Sequence, residues 1–260
     1  MIFTIIMFIL LGLTIGSFLN VVIDRLPAGQ SLAVPPSHCP ACNRRLGVAD
    51  LIPVFSYLVL RGRCRSCNAR IPARIFWVEL ATGLAFGFFF WYVGLSPALA
   101  VVLFYFCLLL VIAVIDLEQG LILNALVFPG AVIALSLSAV ITFTGYDMLV
   151  FVPSLPRSGI GLGVGFGIFL LIVLLSKGGM GLGDVKMAAF LGAMLGFPAI
   201  LAGILIAIIS GGIVAIFLLA MRKKGRKQTV PFGPFLALGG FISLLWGTQL
   251  IDWYLKLFGL

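Results

Sequence analysis

The sequence predicts an all-α polytopic membrane protein: about eight transmembrane helices, both termini outside, and a cytoplasmic zinc-ribbon-like loop between helices 1 and 2. Three observations carry this. Of the 260 residues, 62% are hydrophobic and 10% charged, whereas soluble domains are roughly half apolar and a quarter charged. Apolar runs of membrane-crossing length recur almost end to end. Every Lys and Arg except Arg157 and Lys256 falls in three segments, 23–74, 177–186 and 222–231.

A helix needs roughly 17–25 mostly apolar residues to cross the hydrocarbon core. That rule places helices at 2–22, 75–93, 97–116, 121–142, 159–176, 185–197, 199–221 and 232–254. The first lacks a basic leader and a small-residue cleavage site, so it reads as a membrane helix rather than a signal peptide. The sixth is short, bounded by Gly183-Asp184 and Gly196-Phe197-Pro198. Breaks of that kind are tolerated at membrane depth only where protein or water satisfies the backbone. Basic residues favour the cytoplasmic side, so the three basic segments face inward and the N- and C-termini outward. The run 222–227 is a topology signal, able to touch anionic lipid. This distribution accounts for the net charge of +9 without a nucleic-acid partner. Residues 144–157, with Pro153 and Pro156, read as an outside loop. No internal repeat is expected.

The domain division that follows is residues 1–23 as the first transmembrane helix, 24–74 as a cytoplasmic four-cysteine loop, and 75–260 as a membrane-embedded core. In the loop, Cys39-Pro-Ala-Cys42 is followed after 21 residues by Cys64-Arg-Ser-Cys67. Two such knuckles suit one tetrahedral zinc ion held by four thiolates. A polar loop of this size has too little apolar content for its own core, so a metal staple is physically sensible. A cytoplasmic setting keeps thiols reduced and disfavours disulfides. A tetrathiolate leaves no open coordination position, so the metal is structural. His38 reads as solvated or supporting, and Cys107, in an apolar helix, as a small hydrophobe.

Two aspartates stand out. Asp116 closes the third helix. Asp184 ends the glycine-rich run Gly179-Met180-Gly181-Leu182-Gly183-Asp184 and opens the sixth. A carboxylate at membrane depth is expensive and marks a functional site by default. The topology puts both at the cytoplasmic boundary, where a close pair can share one proton. One carboxylate then activates water while the protonated one polarises a carbonyl. Gly181 and Gly183 clear space for an extended substrate beside Asp184. Asp184 is also a plausible helix cap, but the helix dipole disfavours Asp116 at a C-terminus. Catalysis, an ion or proton pathway and a structural role all stay open at this point. Among the other charges, Glu79 is expected to pair with Arg70 or Arg74 or to join a polar site. Asp24 and Arg25 read as an interfacial pair, Lys186 as the partner of a carboxylate or lipid headgroup, and Asp50, Asp147 and Asp252 as solvated.

Several motifs then converge. Gly16-Ser17-Phe18-Leu19-Asn20 leads to Arg25-Leu26-Pro27, and the four-cysteine loop carries Arg61-Gly62-Arg63-Cys64. Glu79-Leu80-Ala81-Thr82-Gly83, Asp116, Gly181-Leu182-Gly183-Asp184-Val185-Lys186 and Pro231-Phe232-Gly233-Pro234 follow. Nearly end to end, the chain resembles the type IV prepilin peptidases. The resemblance implies a GxGD-type aspartic endopeptidase of the bacterial inner membrane. It implies Asp116 and Asp184 as catalytic residues, with Gly181, Gly183 and Lys186 in the supporting loop. It implies prepilins and pseudopilins as substrates, cut at the cytoplasmic face after a glycine ending a short basic leader. Relatives that carry the cysteine loop, here Cys39, Cys42, Cys64 and Cys67 around zinc, also N-methylate the new terminus with S-adenosylmethionine. No motif places the methyl donor. One departure is Leu123 in Ile122-Leu123-Asn124, where relatives often have proline. The competing readings are another GxGD intramembrane protease and an ion-coupled transporter that uses buried aspartates. A transporter predicts carboxylates at mid-membrane and usually a repeat.

Overall fold

The computed structural model describes residues 1–145, 149–176, 180–221, 231–257 and 259. Asp147, Gly179 and the basic run 222–227 lie outside the described residues. Nearly everything described is helix, and no strand occurs among these residues. The chain forms two compact units, Met1–Leu99 and Ala100–Leu260.

In the first unit, helix α1 (Ile2–Arg25) packs along α3 (Ala73–Val93). The two backbones nearly touch: a Cβ on Gly16 would lie 2.8 Å from Glu79 Cα. Between them, the loop holds a single 3-10 turn, Val48–Asp50, and the short helix α2 (Phe55–Val59).

The second unit is a bundle of α4 (Pro97–Gln119, whose first turn belongs to the first unit), α5 (Asn124–Thr144), α6 (Leu155–Leu175), α7 (Leu182–Leu195), α8 (Ala199–Ala220) and α9 (Gly233–Leu257). Helix boundaries differ from expectation where local chemistry decides them. Helix α4 runs past Asp116 to Gln119 and stops at Gly120, whose φ of +66° favours glycine. Asp116 therefore sits one turn inside the helix. Helix α6 starts earlier than expected because Pro156 occupies its first turn, where a missing N–H is no loss. Helix α5 starts later because Leu123 is extended, with ψ 128°.

Seven of the described helices, α1, α3, α4, α5, α6, α8 and α9, are long and apolar enough to cross a membrane. The remaining long helix, α7, has 14 residues, about 21 Å against a core of about 30 Å. Its sides are covered by α5, α6, α8 and α9, and Met187, Ala188, Phe190 and Ala193 are wholly buried. Protein rather than lipid surrounds it, so it need not match the bilayer. Its fit against α6 depends on backbone contact. A Cβ on Gly192 would collide with the Gly161 carbonyl, and one on Gly161 with the Gly192 carbonyl. The Ser158 hydroxyl donates to the Ala193 carbonyl, and the Phe197 N–H to the Arg157 carbonyl. Helix α7 is thus pinned antiparallel to α6.

Candidate active site and metal centre

In the second unit the end of α4 and the starts of α5, α7 and α9 converge. They enclose a cavity of about 700 Å³, and Asp116 and Asp184 both line it together with Gly181, Gly183, Lys186 and Phe232. Asp116 is only 5% exposed. Its Oδ2 accepts a 2.9 Å hydrogen bond from the backbone N–H of Gly233, the first residue of α9 and 117 positions along the chain. A Cβ at Gly233 would stand 2.6 Å from that oxygen, so only glycine permits this approach.

Asp184 occupies the first turn of α7, where Gly181 is the N-cap. Its Oδ2 would lie 3.9 Å from a Cβ on Gly181, and its carboxylate is close enough to that of Asp116 for the two charges to repel. Gly183 packs closely against the turn that follows α4. A Cβ there would meet Ile122 at 3.1 Å, so its missing side chain admits the α4–α5 turn. No carboxylate among the described residues pairs with Lys186. Its Nζ donates to Asn124 Oδ1 at 3.0 Å and sits 5.8 Å from the centroid of the Phe128 ring, which ties α7 to the start of α5. At Leu123, φ is −76°, within the range proline adopts. The turn into α5 is therefore proline-like without proline.

In the first unit the four cysteines meet. Their sulfurs all lie within 4.8 Å of one another, and Cys39 Sγ and Cys67 Sγ are 3.8 Å apart. Zinc–sulfur bonds of about 2.3 Å set tetrahedral sulfur–sulfur edges of about 3.8 Å, so the cluster fits such an ion. The two knuckles are copies. Cys39-x-x-Cys42-Asn43-x-Arg45-Leu46 aligns with Cys64-x-x-Cys67-Asn68-x-Arg70-Ile71. Asn43 and Asn68 both take positive φ, 53° and 57°, a conformation asparagine tolerates. His38 bridges to Arg45 as Arg63 does to Arg70. The Leu46 and Ile71 N–H groups return to the Ser37 and Gly62 carbonyls. This short repeat was legible in the sequence as a recurring Cys-x-x-Cys-Asn, against the expectation of no repeat. Backbone N–H groups of Cys67 and then Ser66 aim at Cys64 and hold its thiol down to about 6, which favours the thiolate a metal needs.

Other charges depart from expectation. Asp50 is ion-paired rather than solvated: Arg65 Nε lies 2.8 Å from Oδ1 and Arg44 Nη2 3.7 Å from Oδ2. These bonds tie the two knuckles to the 3-10 turn. Asp24 pairs with Arg74 at 2.6 Å, while Arg25 donates to the Ser31 and Pro35 carbonyls. Glu79 pairs with no arginine among the described residues. Its Oε2 accepts the Val54 N–H at 2.7 Å, and Ser17 also bonds its carboxylate. Its role as a receiver of loop backbone is invisible in sequence, because Val54 lies 25 residues away in an irregular segment. His38 and Asp252 are exposed as expected, and Cys107 is partly buried.

Comparison with known proteins extends these observations over the whole chain. Residues 10–93 match the family described as the bacterial peptidase A24 N-terminal domain, and residues 103–216 match the type IV leader peptidase family. A prepilin leader peptidase/N-methyltransferase of Pseudomonas aeruginosa is 35% identical over 274 residues, covering 96% of this chain and 93% of that protein. The chain belongs to the type IV leader peptidase family. Leader peptidases with the same description from Stutzerimonas stutzeri and Aeromonas hydrophila are each 33% identical, over 95% and 96% of this chain and 92% and 93% of those proteins. No solved structure matches. The cysteine cluster lies within the stretch matching the family's N-terminal domain, and Asp116 and Asp184 within its leader peptidase stretch.

Proposed function

We propose that this leader peptidase is a multi-pass inner-membrane enzyme that removes the leaders of prepilins or pseudopilins and then N-methylates the new terminus. The observation that carries the peptidase half is the convergence of Asp116 and Asp184 on one cavity, with the Gly233 N–H fixing Asp116. In this reading the ionised carboxylate takes a proton from water, and the protonated one donates to the scissile carbonyl oxygen. Collapse of the tetrahedral intermediate breaks the C–N bond, and the proton passes to the leaving amine. The distribution of basic segments supports a cytoplasmic mouth for the cavity, where a basic leader would meet two acidic groups. Gly181 leaves open space beside Asp184 for an extended substrate backbone, and Gly183 and Lys186 hold the surrounding turn.

The four thiolates Cys39, Cys42, Cys64 and Cys67 would hold zinc as a staple for loop 24–74, which is assigned to methylation along with S-adenosylmethionine as donor. Purified protein, a prepilin and labelled donor, with mass spectrometry of the product N-terminus, test both halves. Asp116→Asn and Asp184→Asn should each lower cleavage by about 10²–10⁴-fold, the usual worth of acid–base catalysis. Full cleavage by either folded variant sinks the aspartyl mechanism.

A further inference from the structure

The first unit contains a second cavity, of about 600 Å³, between the knuckles and the ends of α1 and α3. Nothing so far gives it a ligand. Its volume falls within the range of small-molecule sites, roughly 300–1,000 Å³. Glu79 forms part of its wall and is only 5% exposed. A buried carboxylate normally has a cation, yet none of the ion pairs among the described residues includes Glu79. Its partners are the neutral Val54 N–H and Ser17.

One helical turn away on α1, Asn20 also lines the cavity and is 5% exposed. Its Nδ2 donates to the Gly16 and Ile75 carbonyls, but its Oδ1 accepts nothing. The wall made by α1 and α3 thus offers a carboxyl group without a cation among the described residues and an acceptor without a donor, and Tyr57 lines the same cavity. The loop's part of the lining includes Arg70. A ligand that answers this set of groups carries a positive centre, hydrogen-bond donors, a carboxylate and a flat ring.

We infer that this cavity is the binding site for S-adenosylmethionine, with Glu79 facing its sulfonium and Arg70 its carboxylate. The inference rests on the methyltransferase half of the proposed function. Tyr57 supplies the aromatic face for adenine, and the zinc knuckles support the loop's part of the lining. The close crossing of α1 and α3 at Gly16 brings Ser17, Asn20 and Glu79 together, so the pocket's polar floor is made by membrane helices and its rim by the loop.

The test uses full-length protein in detergent. Isotopically labelled S-adenosylmethionine is photocrosslinked to it, and the labelled peptides are identified by mass spectrometry. Label on the Asn20, Tyr57 or Glu79 peptides is the expected result; label confined to the second unit overturns the assignment. In equilibrium binding, Glu79→Gln should weaken S-adenosylmethionine about tenfold, the equivalent of about 1.4 kcal/mol. It should weaken S-adenosylhomocysteine, which lacks the sulfonium charge, much less. Equal losses for both ligands, or none, overturn the role of Glu79. Zinc content and thermal unfolding report whether the variant is folded, and the wild-type label decides the site if it is not. A wild type that neither binds the donor nor methylates overturns the methyltransferase reading itself. One that methylates while labelled outside the cavity overturns only this site.

Discussion

Gly233→Ala is the sharpest perturbation of the peptidase site. The added methyl would stand 2.6 Å from Asp116 Oδ2, 3.0 Å from its Cγ and 3.2 Å from its Cβ. Restoring ordinary contact moves the carboxyl group by roughly 0.5–1 Å, since carbon contacts settle near 3.5–4.0 Å. The same movement stretches the 2.9 Å bond from the Gly233 N–H. Misplacement on the order of 1 Å lowers rates by about a hundredfold, and a hydrogen bond to a charged group is worth about 1.5–3 kcal/mol. Both lines predict a fall in kcat for leader cleavage of about a hundredfold. Stability should change much less, because alanine favours a helical position by about 1 kcal/mol over glycine. The assay is steady-state cleavage of a prepilin by purified protein, with thermal unfolding measured in parallel. Gly163→Ala is the control, because a Cβ there meets nothing within 4 Å. A folded Gly233→Ala enzyme that cleaves at the wild-type rate refutes the claim that this backbone contact positions Asp116.

Three further outcomes follow from the same geometry. Purified protein should contain about one zinc per chain by elemental analysis, as a closed four-thiolate site predicts; stripping it with a chelator, or Cys39→Ser, should abolish methylation before cleavage, and the reverse order would contradict a structural metal in the loop. Leu123→Pro should retain cleavage within about twofold and change stability by less than about 1 kcal/mol, because the φ there already suits proline; a large loss in either measurement would show that the turn depends on more than φ. The Asp50 carboxyl is held below its usual range, chiefly by the hydrogen bond from Arg65. Its stabilisation of the loop is therefore complete above about pH 4, and is lost as pH falls through the lower native value. The difference in loop unfolding between wild type and Asp50→Asn should thus be flat from about pH 5 to 8, and a slope across that interval would assign the effect to another group.

Some local expectations failed for a common reason. Asp24 and Arg25 are adjacent, but successive helical residues do not face each other, and Asp24 turns instead to Arg74. Asp50 looked solvated because its arginines come from positions 44 and 65, on different knuckles. In each case the partner lies across a turn or a helix contact that periodicity does not encode.

The sequence by itself determined the membrane class, the approximate helices, the four cysteines as one metal-binding set and the two aspartates as the residues of interest. Those properties depend on local composition and short spacings: hydrophobic length for the spans, two-residue gaps for the knuckles, the expense of an intramembrane carboxylate. Only the tertiary structure decided that the Asp116 carboxylate rests on the Gly233 N–H, that Glu79 receives the backbone of Val54, and that a 14-residue α7 is shielded from lipid by its neighbours. The Gly233 contact with Asp116 and the Gly161–Gly192 contact between α6 and α7 are so close that no Cβ fits there. Glycine permits such contact, but which glycine meets which neighbour is settled only when the helices pack.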